Sequence, residues 1–454
     1  MNSFFKVTHK SKKSKARLGE IKTSHGVVKT PAFVAVGTKG TVKALTPELL
    51  KDIGTQVAFV NTYHLVTHPG AEIIEKAGGI HKYSGLDIPL MSDSGGFQVF
   101  SLAKNNRARE RNFLSQWGPY PKSEKNLLSS PLKDQAKKAD IRGEEQPMVV
   151  KISEDGVKFR STFDGKLIEF TPEKSMEYQA KIGADINMAF DECTYYPATH
   201  EYAQKAMERT HEWLKRCVSF RARQRNFLSQ RGHYPKSAKN LLSSPSKVNQ
   251  YLYGVIQGAT YEDLRKKSAE FVVSQNTPGI AIGGVSVGES KKEMREQVKW
   301  VADYLPKDRP VHLLGVGQVD DIIDLVKHGI DTFDCVEPTR LARMGRIYQT
   351  SFVLGTAFFT PRGRARSTAH LPRSFKTGTS DSDIDIFKTI YKNNLEKLDI
   401  NCNCYVCENF TKSYLHHLFK QREILGYTLA TYHNLWTMEK LFEKIRALIS
   451  QDLI

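Results

Sequence analysis

No stretch of this 454-residue chain approaches the roughly 18 consecutive apolar residues that a membrane-spanning helix needs. The basic start, "MNSFFKVTHKSKKSKARLGE", carries no apolar core of the kind found in a secretory signal. These two absences make a soluble, cytoplasmic protein with no membrane partner the expectation. Cysteine is scarce: of six, Cys193, Cys217 and Cys335 are scattered and the other three are crowded together. That is not the usage of a disulfide framework, which small secreted domains adopt. Long repetition is also missing. Residues 107–133, "RARERNFLSQWGPYPKSEKNLLSSPLK", recur with few changes at 221–247 as "RARQRNFLSQRGHYPKSAKNLLSSPSK". There is no third copy, and a solenoid needs at least three stacked units.

Acidic side chains are in deficit, with 67 Lys and Arg against 49 Asp and Glu, a formal net charge of +18. Such a balance suits a phosphate-bearing partner, because Lys and Arg neutralise phosphates and release counterions. The two repeated segments supply 11 of the 18 excess charges, so much of the basicity resides in them. Both are rich in Ser, Pro, Asn and Lys, with short apolar clusters such as "NLL". A third stretch of like composition is "TPRGRARSTAHLPRSFKTGTSDSD" (360–383). All three read as exposed insertions in loops of a host fold. They are expected over 105–150, 221–248 and 352–384.

With the insertions set aside, short apolar runs alternate with helical patterns. "QVAFVNTYHL", "IPLMSDSGG", "DINMAFDEC", "YLYGVIQGAT", "GIAIGGVSVGE", "PVHLLGVG" and "IDTFDCVEPTR" each read as a buried strand breaking into a polar or Gly-rich loop. Between them "TPELLKDIG", "TPEKSMEYQAKIG", "HEYAQKAMERTHEWLKRC", "TYEDLRKKSAEFVVSQ", "SKKEMREQVKWVADYL" and "VDDIIDLVKHG" read as helices. Several open on Thr or Ser followed by an acidic residue, as caps should. Seven or eight such units with uninterrupted apolar strands point to a closed (β/α)8 barrel of TIM type, one catalytic domain spanning the chain.

In "SDSGGFQ", Ser92 to Gln98, Asp93 begins ordinary turn chemistry or stands as a carboxylate at a strand end. The barrel assignment bears on that choice, because strand ends are where such folds place their chemistry. Asp93, Asp191, Gln257, Gly284 and Asp334 would then converge on one rim. Paired carboxylates there can divide nucleophile and acid/base work, as in retaining glycoside chemistry.

The remaining cysteines form "NCNCYVC", with Cys402, Cys404 and Cys407 spaced for metal ligation. The segment that follows offers His416, His417 and His433 as a fourth ligand. A closed Cys3His set would be a structural zinc site with no position left for water.

Taken together, "SDSGGFQVFSL", "FDECT", "GVIQGATYEDLR", "GIAIGGVSVGE", "LLGVG", "TFDCVEPTR" and C-x-C-x2-C with a distant His resemble the bacterial tRNA-guanine transglycosylases. The likeness runs from about Ala16 to "YHNLW" near the C-terminus. It implies a barrel with an inserted zinc-binding subdomain, expected at 395–440. The implied reaction exchanges guanine at the first anticodon position (34) of tRNAs with a G-U-N anticodon for 7-aminomethyl-7-deazaguanine (preQ1), a step of queuosine biosynthesis. It also implies a homodimer and one structural Zn2+ per subunit, held by Cys402, Cys404, Cys407 and His433.

The resemblance makes Asp334 the nucleophile and Asp93 the general acid/base. Asp191 would accept from guanine's N–H groups, and Gln257 and the Gly284 N–H would donate to its carbonyl oxygen. Ser94 would position the base and Phe97 stack on it, while Arg340 and Arg343 would contact anticodon nucleotides. Cys193 and Val287 match the pair that goes with preQ1 rather than queuine. Glu337, His312 and Leu314 depart from the family pattern, the last two where Tyr and Met are usual. A rival reading is a non-catalytic, basic, zinc-bearing RNA-binding relative, if the insertions disrupt the active site.

Overall fold

The structure, a computed structural model, describes residues 4–97, 148–161, 163–229, 250–350 and 383–454. Most of the three expected insertions therefore lies outside the described residues. At their edges, 148–150 and 383–384 fall in strands, and 221–229 continue a helix rather than opening a loop.

The chain begins with an antiparallel sheet of β1 (Phe5–Lys10), β2 (Arg17–Thr23) and β3 (Gly26–Thr30). Next come β4 (Ala32–Val36), β5 (Ala58–Val60) and β6 (Leu90–Ser92). Beyond the first expected insertion, β7 (Met148–Ser153), β8 (Gly156–Arg160) and β9 (Leu167–Phe170) form a second antiparallel sheet. The chain then returns to β10 (Ile186–Met188), β11 (Tyr251–Ile256), β12 (Gly279–Ile282), β13 (Val311–Leu313) and β14 (Thr332–Cys335). β4, β5, β6 and β10 to β14 close into an eight-stranded barrel, every neighbouring pair parallel, with β14 on β4 and β10 on β6. The expected (β/α)8 barrel is the observed fold. Its eighth strand comes from "AFVAV", just ahead of the runs singled out in the sequence.

Strand alternation sorts the side chains. Val34, Phe59, Met91, Met188, Val255 and Ala281 fill the barrel interior. Their neighbours Phe33, Val60, Leu90, Ile256 and Ile282 face the helices outside. Val311, Leu313 and Phe333 also face outward, so His312, Thr332 and Asp334 point in. The interior is plugged from the strands' N-terminal end by the first sheet, whose Phe5, Ile21 and Val28 join the interior cluster. Phe4 stacks there on Tyr251, the first residue of β11, with centroids 3.7 Å apart.

The outer helices start where their caps predict. Thr46 and Thr171 accept from the N–H groups of Leu49 and Lys174 ahead of Pro47–Ile53 and Pro172–Ile182. Ser290 and Glu293 form a full capping box on Lys291–Val301, satisfying two otherwise orphaned N–H groups. The last helix, Ile424–Ser450, lies along the outside of β4 and the helix Glu337–Arg343. Its Phe442 packs against Phe33 and Phe333 at centroid distances of 6.1 and 5.9 Å. Burying a ring of this size stabilises by about 1.5–3 kcal/mol. This helix also carries His433, which ties the cysteine-bearing segment to the barrel wall.

Among the described residues, no helix is long and apolar enough to cross a membrane.

Candidate active site and metal centre

Because all eight strands run parallel, their C-terminal ends share one face. Asn61 and Thr62 follow β5, Asp93 and Ser94 follow β6, and Asp191 follows β10. Gln257 follows β11, Gly284 follows β12, Gly315 follows β13, and Asp334 lies near the end of β14. The rim expected from the sequence is thus assembled by topology alone.

On one side of the rim the polar groups touch directly. Asp191 is buried and accepts hydrogen bonds from Gln257 Nε2 (2.7 Å) and Ser94 Oγ (2.9 Å). Burial pushes its carboxyl up to about 6, against the opposing pull of those two donors. Gln257 Oε1 is buried and has no hydrogen-bond partner among the described residues. Gly284 adopts φ +62°, and a Cβ built on it would lie 2.2 Å from that Oε1. Only glycine combines this left-handed backbone with such a close approach.

Asp93 is half-buried, and its carboxylate accepts from described neighbours. Oδ1 accepts from the N–H groups of Thr62 (2.7 Å) and Gly95 (3.2 Å), and Oδ2 from Asn61 Nδ2. Asn61 is aimed this way because its Oδ1 caps the helix Thr62–Thr67, accepting from His64 N. Phe97, directly after the Gly95-Gly96 turn, is 42% exposed.

Across the rim, Asp334 Oδ1 accepts from the Gly315 N–H (2.9 Å) and lies 3.1 Å from His312 Nε2. His312 is fully buried, its Nδ1 2.9 Å from Thr332 Oγ1. Among the described residues no hydrogen bond reaches Asp334 Oδ2. One oxygen is held and the other is unengaged, a geometry suited to in-line attack. Strand alternation turns His312, one of the departures from the family pattern, inward beside β14, where its Nε2 meets the Asp334 carboxylate. Glu337, another departure, accepts from Gln318 Nε2 at 2.9 Å. Arg340 and Arg343 lie on the helix Glu337–Arg343, which follows β14 directly.

Cys402, Cys404, Cys407 and His433 are all buried and face one another. Their Sγ atoms lie 3.7, 3.5 and 3.3 Å from His433 Nδ1. A tetrahedral ion with bonds of about 2.3 Å to sulfur and 2.05 Å to nitrogen requires about 3.6 Å between those ligand atoms. His433 Nε2 lies 2.9 Å from the Tyr348 carbonyl, so it donates there and leaves the Nδ1 lone pair facing the thiols. The cluster can hold a metal ion. The other histidines offered by the sequence are elsewhere: His416 Nδ1 is on the Ile386 carbonyl (2.7 Å), and His417 is exposed.

The model of the queuine tRNA-ribosyltransferase family matches residues 11–120 and 139–454. The chain belongs to that family. The queuine tRNA-ribosyltransferase of Caldanaerobacter subterraneus subsp. tengcongensis is 40% identical over 448 residues, covering 99% of this chain and 94% of the relative. That of Thermoanaerobacter pseudethanolicus is 39% identical over 448 residues, with the same coverage. That of Halothermothrix orenii is 36% identical over 454 residues, covering 100% of this chain and 95% of the relative. The gap between the two matched stretches, 121–138, overlaps the first repeated segment.

Sequence reasoning missed three contributors to this family member's rim: Asn61 and Thr62 behind Asp93, and the Gly315 N–H on Asp334. The Asn-Thr pair before "YHL" is a helix-start signature that could have drawn attention to the first two. It also missed a His25–His81–Asp185 group at the opposite end of the barrel. His25 Nδ1 is 2.8 Å and His81 Nε2 3.2 Å from the two Asp185 oxygens. The imidazoles stack face to face at 3.4 Å, so their lone pairs run parallel rather than converging on an ion. This is a carboxylate-linked histidine pair that pins the β2–β3 turn to the barrel floor.

Proposed function

We propose that this family member is a tRNA-guanine transglycosylase that replaces guanine 34 in G-U-N anticodons with preQ1. The observation that carries the reading is the arrangement of two carboxylates across one barrel rim, Asp334 with an unengaged oxygen and Asp191 buried beside Gln257 and Gly284.

In this reading Asp334 Oδ2 attacks ribose C1′. The C1′–N9 bond breaks, its electron pair leaves with guanine, and the RNA stays esterified to Asp334. Asp93 protonates the leaving base, then takes the N9 proton of the incoming one, which attacks C1′ and expels the Asp334 carboxylate. Two inversions retain configuration. Asp191 accepts from the base's N–H groups, Gln257 and the Gly284 N–H donate to its carbonyl oxygen, Ser94 steadies Asp191, and Phe97 stacks on the ring. Arg340 and Arg343 meet the anticodon nucleotides. Cys193 and Val287, both buried, favour the small aminomethyl side chain over queuine.

Zinc is the ion proposed for Cys402, Cys404, Cys407 and His433, one per chain, on the ligand chemistry and spacing. Its contribution would be to folding of the 395–440 subdomain, since four protein ligands leave no site for substrate. Tyr414 and His417 are exposed on the helix Lys412–Gln421, which supports a homodimer contact there. A cytoplasmic site of action, with tRNA, guanine and preQ1 as partners, completes the proposal.

The test is incubation with radiolabelled guanine and a tRNA bearing a G-U-N anticodon. Label entering the tRNA supports the reading. No exchange by metal-loaded, folded protein would leave the non-catalytic RNA-binding alternative.

A further inference from the structure

Arg265, on the helix Glu262–Ser274, lies fully buried behind the ends of β11 and β12, and among the described residues it makes no ion pair with a carboxylate. Five acceptors surround it instead. Nε donates to the Ala259 carbonyl at 2.7 Å, and Nη1 to those of Gly283 at 2.6 Å and, more weakly, Ile256 at 3.5 Å. Nη2 donates to the Gly284 carbonyl at 2.6 Å and to Gln297 Oε1 at 2.7 Å. The planar fork thereby joins the turn after β11, the turn after β12 and the helix Lys291–Val301. Burying a guanidinium is costly unless its donors are met, and burial indeed lowers its pKa to about 10.

The direction of those carbonyls has a consequence for the pocket. In a trans peptide the C=O and the following N–H point opposite ways. With the Gly283 and Gly284 carbonyls drawn outward to Arg265, the N–H groups of Gly284 and Val285 are turned the other way, toward the barrel mouth. The left-handed φ of Gly284 is what lets successive carbonyls turn to one side. We propose that Arg265 is a positioning residue, which aims the Gly284 and Val285 N–H groups at the carbonyl oxygen of the bound base. This deepens, and rests on, the base-exchange reading above. Lysine cannot substitute, since three donors on one nitrogen do not span acceptors on three segments.

The test compares wild type, Arg265→Lys and Gln297→Leu, the last removing one Arg265 acceptor without touching the loop. Steady-state exchange of labelled guanine into G-U-N tRNA is measured alongside competition by 2-aminopurine, which has the ring and exocyclic amine but no carbonyl. Arg265→Lys should raise the KM for guanine by about tenfold, the worth of one well-aimed hydrogen bond. The inhibition constant of 2-aminopurine should stay within about threefold, since it never used that donor. Gln297→Leu should move guanine the same way by less, and it decides the matter if Arg265→Lys does not fold. Equal losses for both bases, or no loss, in variants that keep wild-type metal content and melting would overturn the proposal. Failure of wild type itself to exchange guanine would instead overturn the functional reading beneath it.

Discussion

Asp191→Asn should make the protein more stable and a poorer enzyme, with both changes traceable to one buried carboxyl. Burial raises the folded-state pKa from 3.8 to about 6. For an acid with a raised pKa, the charged form is disfavoured in the fold. The penalty is therefore absent below the unfolded pKa, grows as pH rises, and is complete above about 6. At 1.36 kcal/mol per unit it amounts to about 3 kcal/mol at neutral pH. Asparagine removes that charge but can accept with only one oxygen, so one of the two donors now held, Gln257 Nε2 or Ser94 Oγ, loses its partner at about 1–3 kcal/mol. The net gain is about 0–2 kcal/mol near pH 7.5. Between about pH 7.5 and about pH 5 the wild type recovers about 1.4 kcal/mol relative to the variant, because its carboxyl is by then mostly protonated when folded. Other titrating groups are common to both proteins and cancel in the difference. Paired thermal and denaturant unfolding at the two pH values measures this directly. In the exchange assay the variant should lose about 100- to 1000-fold in kcat/KM for guanine, the worth of two charge-assisted hydrogen bonds. A stability difference that does not change with pH would refute the burial argument. Exchange within tenfold of wild type would remove Asp191 from base reading.

Asp334→Asn should abolish both exchange and any denaturation-resistant protein–RNA adduct, and an adduct band surviving in this variant would move the nucleophile elsewhere. Cys404→Ser should lower metal content from about one ion per chain, and limited proteolysis should then cut first between 395 and 440; full metal retention would exclude Cys404 as a ligand. Deleting 107–133 and 230–247, which spares the helix His200–Ser229 and its buried Arg221, removes 8 net positive charges. If the segments are neutral insertions, non-specific RNA affinity should fall with a shallower salt slope while the specificity constant for tRNA holds. A loss of about tenfold or more at physiological salt, about 1.4 kcal/mol, would make them an RNA clamp instead.

The amino-acid sequence determined the strand and helix alternation, the caps at Thr46, Thr171 and Ser290, and the cysteine spacing. Each is a local signal, set by side-chain period, hydrogen-bonding chemistry at a helix end, or chain distance between ligands. The same locality explains why Asp93, Asp191, Gln257, Gly284 and Asp334 could be nominated: each follows or ends a readable apolar run, and a parallel barrel puts all such ends on one face. What the sequence left open needed neighbours that are distant in the chain. Three histidines stood within reach of the cysteines, and only the packing of Ile424–Ser450 along β4 brought His433 to them while turning His416 to Ile386 and His417 outward. His312 was legible as an odd residue but not as a partner of Asp334, because its inward direction depends on the register of β13 against β14. Nothing local in "YEDLRKK" sets Arg265 apart from the charges beside it. Its burial, and the five acceptors around it, exist only once two strand ends and a second helix have closed over the same side chain.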